Sequence, residues 1–477
     1  MEERGAATYA DRAPVPFERL ESLRQAMRGM LCLKGAAGYD EARIVWNAMI
    51  DRKPAMIARA QSADDVVTVV DFARENHLEL AVKGGGHNIA GNAVSDGGIM
   101  LDLSLLKSIR IDAAARTAEA GPGVTLGELD RAAQAHGLAL PLGINSTTGI
   151  AGLTLGGGFG WISRRHGLTI DNLIAADVVT ADGQTRRASE GDDADLFWGI
   201  RGGGGNLGVV TRFEYGLHEV GPEIFAGLIV FPLEGGRDVL LNYREIVSGM
   251  SDDLTVWAII RQAPPLPFVP AEWHGREVVV LAFCDLGDAS GQESVVARLR
   301  GLGRPVAEHF GPVPFAGWQS TFDPLLAPGA RNYWKSHEFR RLEDGAIDAM
   351  IEAAAHLPSP ESEVFLAQLG GAINRVPVEA TAYPHRDVAF VMNAHARWRV
   401  PGHDAACMKW ARELFDATAR FATGGVYVNF MPADEARRVE TGAYGPNYAR
   451  LARMKARYDP GNLFRVNQNV PPAKASD

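Results

Sequence analysis

Three consecutive glycines, Gly84, Gly85 and Gly86, run into His87 within the stretch VKGGGHNIAGNAVSDGGIMLD, residues 82–102. With no side chains in the way, successive backbone N–H groups can curl into a concave nest around a pyrophosphate, with the imidazole beside the bound group. A tight turn followed by a structural histidine fits the same four residues. Two further glycine clusters follow: GIAGLTLGGGFG at 149–160, and RGGGGNLGVVTRFEYGL from Arg201. Gly203, Gly205 and Gly208 satisfy G-x-G-x-x-G, but a dinucleotide fingerprint needs a strand before it and a helix after it. Residues 209–217 read instead as an alternating, β-branched strand. Three glycine-rich turns suit a long, extended ligand that passes close to backbone at several points, and FAD has that length.

The elements that carry these loops follow from hydrophobic periodicity. Residues 63–75 form an expected amphipathic helix, with Val66, Val67, Val70 and Phe72 among acidic neighbours, and residues 78–82 the strand that feeds the first glycine turn. Short strands are expected at 98–103, 108–112 and 117–120, then a helix capped by Thr125 and ending near Gly137. Between about 221 and 424, long strands (227–232, 278–284, 362–369, 388–394) are interspersed with helices at 344–355 and 402–422. That pattern suits one antiparallel sheet covered by helices on one face, and an α+β class for the whole chain. Residues 427–470 return to short motifs around a helix at 448–458, stopped by Asp459-Pro460-Gly461.

Composition narrows the functions available. At 477 residues and 46% apolar, the chain is long enough for two or three well-filled domains. A net charge of -10 argues against a general nucleic-acid or anionic-membrane binder. The three cysteines, Cys32, Cys284 and Cys407, are widely spaced with no Cys/His cluster, so neither a disulfide framework nor a metal site is expected. The N-terminal stretch is charged without an apolar core, and a cytoplasmic location is expected. Nothing in the sequence sets the oligomeric state.

Taken together, GGGHNIAGNAVSDGGIMLDLSLLKSI, GINSTTGIAGLTLGGGFGWISRRHGLTIDNL, DLFWGIRGGGGNLGVVT and the closing YVNF and YGPNYARLARMKARYDPGNLFRVNQNV resemble the berberine bridge enzyme-like flavoproteins of the vanillyl-alcohol oxidase superfamily. The resemblance covers nearly the whole chain. It implies a two-part FAD-binding domain of the p-cresol methylhydroxylase type, residues 1–220 and 425–477, around a substrate domain at 221–424. It implies FAD joined through its 8α-methyl group to His87, with Gly84, Gly85, Gly86, Asn88 and Gly91 in the attachment loop. Asn145, Thr148, Gly149, Gly152, Gly156, Gly157, Gly158 and Gly160 belong to the second loop, and Gly208 and Val209 to the third. Many members place a second flavin bond on a cysteine where this chain has Asn145, so a single covalent bond is expected, as in the subset that includes 6-hydroxy-D-nicotine oxidase. Thr148 stands where the family's oxygen gate is usually valine or leucine, and Phe159 where tyrosine is frequent.

Taking a hydride from an alcohol or amine requires that an O–H or N–H proton also leave, so a base must face the flavin across the substrate. Similarity to the family's Y-x-N motif selects Tyr427 as base or orienter, with Asn429 on the same face of an expected strand and Arg397 or Lys335 as cations to lower the phenol. Period-two spacing puts Asn393 and His395 on one strand face. His395 has the ordinary pKa, about 6.5, of a neutral-pH base, whereas Asn393 can only orient. Gln368 is a further candidate for a substrate hydrogen bond, Trp334 and Tyr383 for an aromatic wall, and Asn467, Gln468 and Asn469 for the flavin edge. The expected activity is oxidation of a small alcohol, amine or secondary metabolite, with O2 reduced to hydrogen peroxide. A dehydrogenase of the same architecture using another acceptor, and a flavin-carrying binding protein without turnover, are the alternatives.

Overall fold

The computed structural model describes residues 15–474; the first fourteen residues, on which part of the N-terminal reading rests, lie outside the described residues. Ser62 accepts a hydrogen bond from Asp65 N and starts the helix Ala63–Glu75, which buries Val66, Val69, Val70 and Ala73. This helix links strand Met56–Arg59 to strand Leu80–Lys83, and both pair in parallel with Ile99–Asp102 between them. The glycine turn therefore leaves the carboxyl end of a parallel strand. A five-stranded antiparallel sheet follows, and it uses Val209–Gly216 as its central strand. That strand follows the third glycine cluster directly, which excludes the helix a dinucleotide fingerprint needs.

All strands between 223 and 398 join one seven-stranded antiparallel sheet, with Ala307–Pro314 and Arg331–Phe339 at its edges. One face carries Ile229, Phe231, Val256, Ala258, Leu281, Val364 and Met392 against the helices Gly236–Val247, Asp344–Ala354 and Asp404–Thr418. The alternate residues, Leu228, Val230, Trp257, Ile259, Val280 and Val391, pack toward Phe159, Trp161 and Tyr427. Burial on both faces explains why EIFAGLIVFP and EVVVLAFCD read as continuous apolar runs where an antiparallel sheet wetted on one face would alternate.

The C-terminal segment returns to the first half of the chain, as Val426, Met431, Tyr444 and Leu451 share a core with Phe197, Trp198 and Phe213. Residues 427–430 are not a strand. Val428–Phe430 is a 3-10 turn with Tyr427 at its start. Among the described residues, no helix is long and apolar enough to cross a membrane.

Lys455, on the helix Tyr448–Tyr458, is fully buried and places its three donors on Asp459 Oδ2 (2.6 Å), Asn206 O (2.8 Å) and Phe464 O (2.7 Å). It thus ties the C-terminal tail to the third glycine loop. Removing one partner of a buried ion pair leaves an uncompensated charge, so Lys455→Ala is expected to cost about 3–5 kcal/mol in denaturant unfolding. Lys455→Ala combined with Asp459→Asn should recover part of that loss.

Candidate active site

The three glycine loops and the C-terminal tail enclose a cavity of about 350 Å3 against the seven-stranded sheet. Its walls include Gly84, Gly85, Gly86, His87 and Asn88 from the first loop, and Asn145, Thr148, Gly149 and Gly152 from the second. Gly205, Gly208, Val209, Asn429, Asn467 and Gln468 complete that side. Gly85 and Gly149 meet back to back, where a Cβ on Gly85 would lie 2.3 Å from Gly149 N. Gly86 turns the chain at φ 73°, and Gly152 projects into open space, where a Cβ would meet nothing within 4 Å.

Other glycines of the motifs serve the walls indirectly. Gly91 lies away from the cavity and packs on Ile50. Gly156 backs onto Asn429, Gly157 onto Tyr383 and Tyr427, Gly158 onto Thr169, and Gly160 onto Leu142 O, none of them lining the cavity. The missing side chains of Gly156 and Gly157 make room for Asn429 and Tyr427. Asn469 does not line the cavity, whereas its neighbour Gln468 does.

His87 stacks on Trp46 with ring centroids 5.2 Å apart. Thr147 Oγ1 donates to Asn145 Oδ1 at 2.7 Å, so its oxygen is left to accept from His87 Nε2 at 3.0 Å. This order sets the tautomer: Nε2 carries the hydrogen, and Nδ1, 3.4 Å from Thr148 Oγ1, keeps its lone pair. Burial pushes the imidazole down to about 4, so it is neutral in ordinary buffers.

On the sheet side, Trp257, Trp334, Phe365, Asn393 and His395 line the cavity, together with Phe159, Tyr427 and Phe430. Tyr427 Oη accepts from Gly158 N (3.0 Å) and Asn429 Nδ2 (2.9 Å). Burial pushes this phenol up to about 12, against the opposing pull of those two donors. The expected cations are elsewhere: Lys335 bonds Glu435 Oε1, and Arg397 bonds Glu361 Oε2 and Asn332 Oδ1. Tyr427 is therefore not a cation-activated base.

Gln368 faces away from the cavity. It shares strand parity with Val364 and Leu366, so its amide accepts from Val256 N and donates to Val247 O on the helix-covered face. Tyr383 is buried behind Gly157 and does not reach the cavity wall. Sequence reasoning missed Glu363, which lines the cavity and pairs with both Arg261 and His395. Its parity with Phe365 was the available signal, but an acidic residue at a strand start reads as solvent-facing until both sheet faces are known to be covered.

A family model for an FAD binding domain matches residues 54–189, and one described as berberine and berberine like matches residues 426–471. The chain is 32% identical over 470 residues to (R)-6-hydroxynicotine oxidase of Paenarthrobacter nicotinovorans, covering 94% of this chain and 97% of that relative. An FAD-linked oxidoreductase of Dictyostelium discoideum is 28% identical over 452 residues, covering 94% and 96%. The crystal structure of 6-hydroxy-D-nicotine oxidase from Arthrobacter nicotinovorans superimposes with a TM-score of 0.84 at 31% identity, over 94% of this chain and 98% of that one. The chain belongs to the berberine bridge enzyme-like family and is an FAD-dependent oxidoreductase.

The residues present fit that cofactor. Side-chain-free backbone at Gly84–Gly86, Gly152 and Gly205 leaves a cradle, and Asn467 Oδ1, buried without a hydrogen-bond partner, suits a flavin N–H. Gly152→Leu should fold normally and fill the cradle. The expected result is unfolding in denaturant within about 1 kcal/mol of the parent, together with purified protein that lacks the yellow flavin absorbance.

Proposed function

We propose that this chain is an oxidase that removes a hydride from a C–OH or C–N carbon of a small alcohol, amine or secondary metabolite, with O2 reduced to hydrogen peroxide. FAD, when bound, supplies the hydride acceptor. The oxidase activity named for the 32%-identical relative supports oxygen as the final acceptor. We assign residues 1–220 and 425–477 to the flavin-binding part and 221–424 to the substrate part. The family models at 54–189 and 426–471 support that division, as does the single sheet built from strands between 223 and 398. Cys32, Cys284 and Cys407 are buried free thiols, which supports a reducing, cytoplasmic setting.

The observation that carries this reading is His87, neutral at the cavity wall with its tautomer set by Thr147. The Nδ1 lone pair, faced by Thr148 Oγ1 at 3.4 Å, would be the group to hold FAD at its 8α carbon. Asn145, at the position of the family's second attachment residue, instead orders Thr147, which supports one covalent bond. Tyr427 keeps its own proton while its oxygen accepts two hydrogen bonds, so its O–H is free to donate and orient a substrate heteroatom. Asn393 Oδ1, buried without a partner, is placed to accept from substrate.

Acid precipitation tests the linkage: flavin should stay with the protein pellet, and His87→Ala should release it to the supernatant. Colour retained by His87→Ala would move the attachment elsewhere. The His87 pKa of about 4 also sets a pH course. The nucleophilic neutral form is complete above that value, so acid-stable flavin should accumulate on apoprotein at one rate across the neutral range and slow only as pH approaches 4. A rate that instead rises through about 6.5, the ordinary histidine range, would show an unperturbed imidazole.

A further inference from the structure

Glu363 sits directly opposite Arg261 on one neighbouring strand and His395 on the other, and His395 sits opposite Trp334. Four adjacent strands thus contribute one row of side chains to the cavity face. Arg261 Nη1 donates to Glu363 Oε2 at 2.9 Å, and His395 Nδ1 lies 3.1 Å from Glu363 Oε1. On the far side of the imidazole, Nε2 lies 3.2 Å from Asn332 Oδ1. That amide's orientation is fixed, because its oxygen accepts from Arg397 Nη1 at 3.2 Å and its nitrogen donates to Ala330 O at 2.8 Å.

The hydrogen count at this row is one short. With Glu363 ionised, a neutral His395 donates to only one of the two oxygens beside it and turns a lone pair on the other, whereas the imidazolium satisfies both. Burial opposes that charge and holds the His395 pKa below its ordinary value, against the raising effect of Glu363. Arg261 leads the effects that hold the Glu363 carboxyl in its ionised form against burial. The pair therefore stands at neutral pH with a place for one more proton between Oε1 and Nδ1.

Among the described residues lining the main cavity, Glu363 is the only one bearing a carboxylate, ammonium or guanidinium. The same cavity is lined by Trp46, Trp257, Trp334, Phe365 and Phe430, aromatic rings of the kind that attract a cation. A second cavity of about 70 Å3 adjoins the first, shares Ile144, Trp257, Leu326, Glu363 and Phe365 with it, and is otherwise chiefly apolar, with Leu228, Ile259 and Phe268 in its wall. Arg261 lines this side cavity and not the main one.

Resting on the flavin oxidoreductase reading above, we propose that the substrate is an amine with an apolar or aromatic arm, its ammonium group bound at Glu363 and its arm in the side cavity, and that the Glu363–His395 pair takes the ammonium proton. The N–H bond breaks with its electron pair staying on nitrogen, and the proton lodges between the carboxylate and the imidazole. FAD, when bound, would supply the acceptor for the two C–H bond electrons, so that the deprotonated amine would become a protonated imine. Glu363 and His395 are the catalytic pair, and Arg261 positions Glu363.

Anaerobic calorimetric titration of the flavin-loaded protein, with its flavin first reduced by dithionite so that it can accept no hydride, tests this without turnover, using 4-phenylbutylamine and its uncharged counterpart 4-phenylbutan-1-ol. The amine should bind at least about tenfold tighter, the scale of a charge-assisted hydrogen bond. Glu363→Gln should erase that preference and leave alcohol binding within about threefold, while Ile259→Trp, which fills the side cavity, should weaken both ligands by about tenfold or more. Equal or tighter binding of the alcohol by the unmodified protein would overturn the proposal, and that arm does not depend on any variant folding. Unchanged amine affinity in Glu363→Gln would overturn it equally. Flavin lost on acid precipitation would instead refute the covalent-oxidase reading while leaving the ligand preference to stand or fall by itself.

Discussion

The site depends on two loops from different parts of the chain approaching to backbone contact. Gly85 and Gly149 meet so closely that neither tolerates a Cβ. The second loop is held to that position by Leu126 N donating to Thr148 O, Gly127 N to Ser146 O and Ile150 N to Val124 O. Any side chain at either glycine would push His87 and Thr147 apart, and with them the hydrogen bond that sets the imidazole tautomer. Close backbone approach is thus what makes a histidine after a glycine run chemically specific.

A second constraint comes from the seven-stranded sheet, which is covered on both faces. Its helix side is filled by aliphatic and aromatic packing, and its other side forms the wall of both cavities. Because side chains alternate, each strand sends one parity to packing and the other to chemistry. Glu363, Phe365, Asn393 and His395 fall on the cavity parity, and Gln368 on the other. The charged row Arg261–Glu363–His395 is held inside this wall because each member finds a partner on an adjacent strand, the condition under which buried charge is tolerated.

Much of this was legible in one dimension. Glycine clusters need no tertiary context to show where backbone approaches something closely, and the helix expected at 63–75 is the helix Ala63–Glu75 of the structure, because Ser62 caps it and its apolar stripe has helical period. The strand after the third cluster was equally clear from β-branched alternation, and it ruled out a false dinucleotide fingerprint. The turn at Val428–Phe430 was not legible: YVNF has strand composition, and only the seat made by Gly156 and Gly157 bends it into a 3-10 turn that brings Tyr427 and Asn429 together.

The sequence by itself determined the class of fold, the glycine loops, the histidine at the exit of the first loop and the absence of a cysteine from the second, since each rests on residue identity and local spacing. Tertiary structure alone decided which of those residues share a wall. It turned Gln368 toward the helices, withdrew Lys335 and Arg397 from Tyr427, and set Glu363 between Arg261 and His395 at the junction of two cavities. Strand register and the burial of both sheet faces are long-range properties, and a carboxylate's chemistry follows from what stands opposite it across the sheet, which no local pattern in the chain encodes.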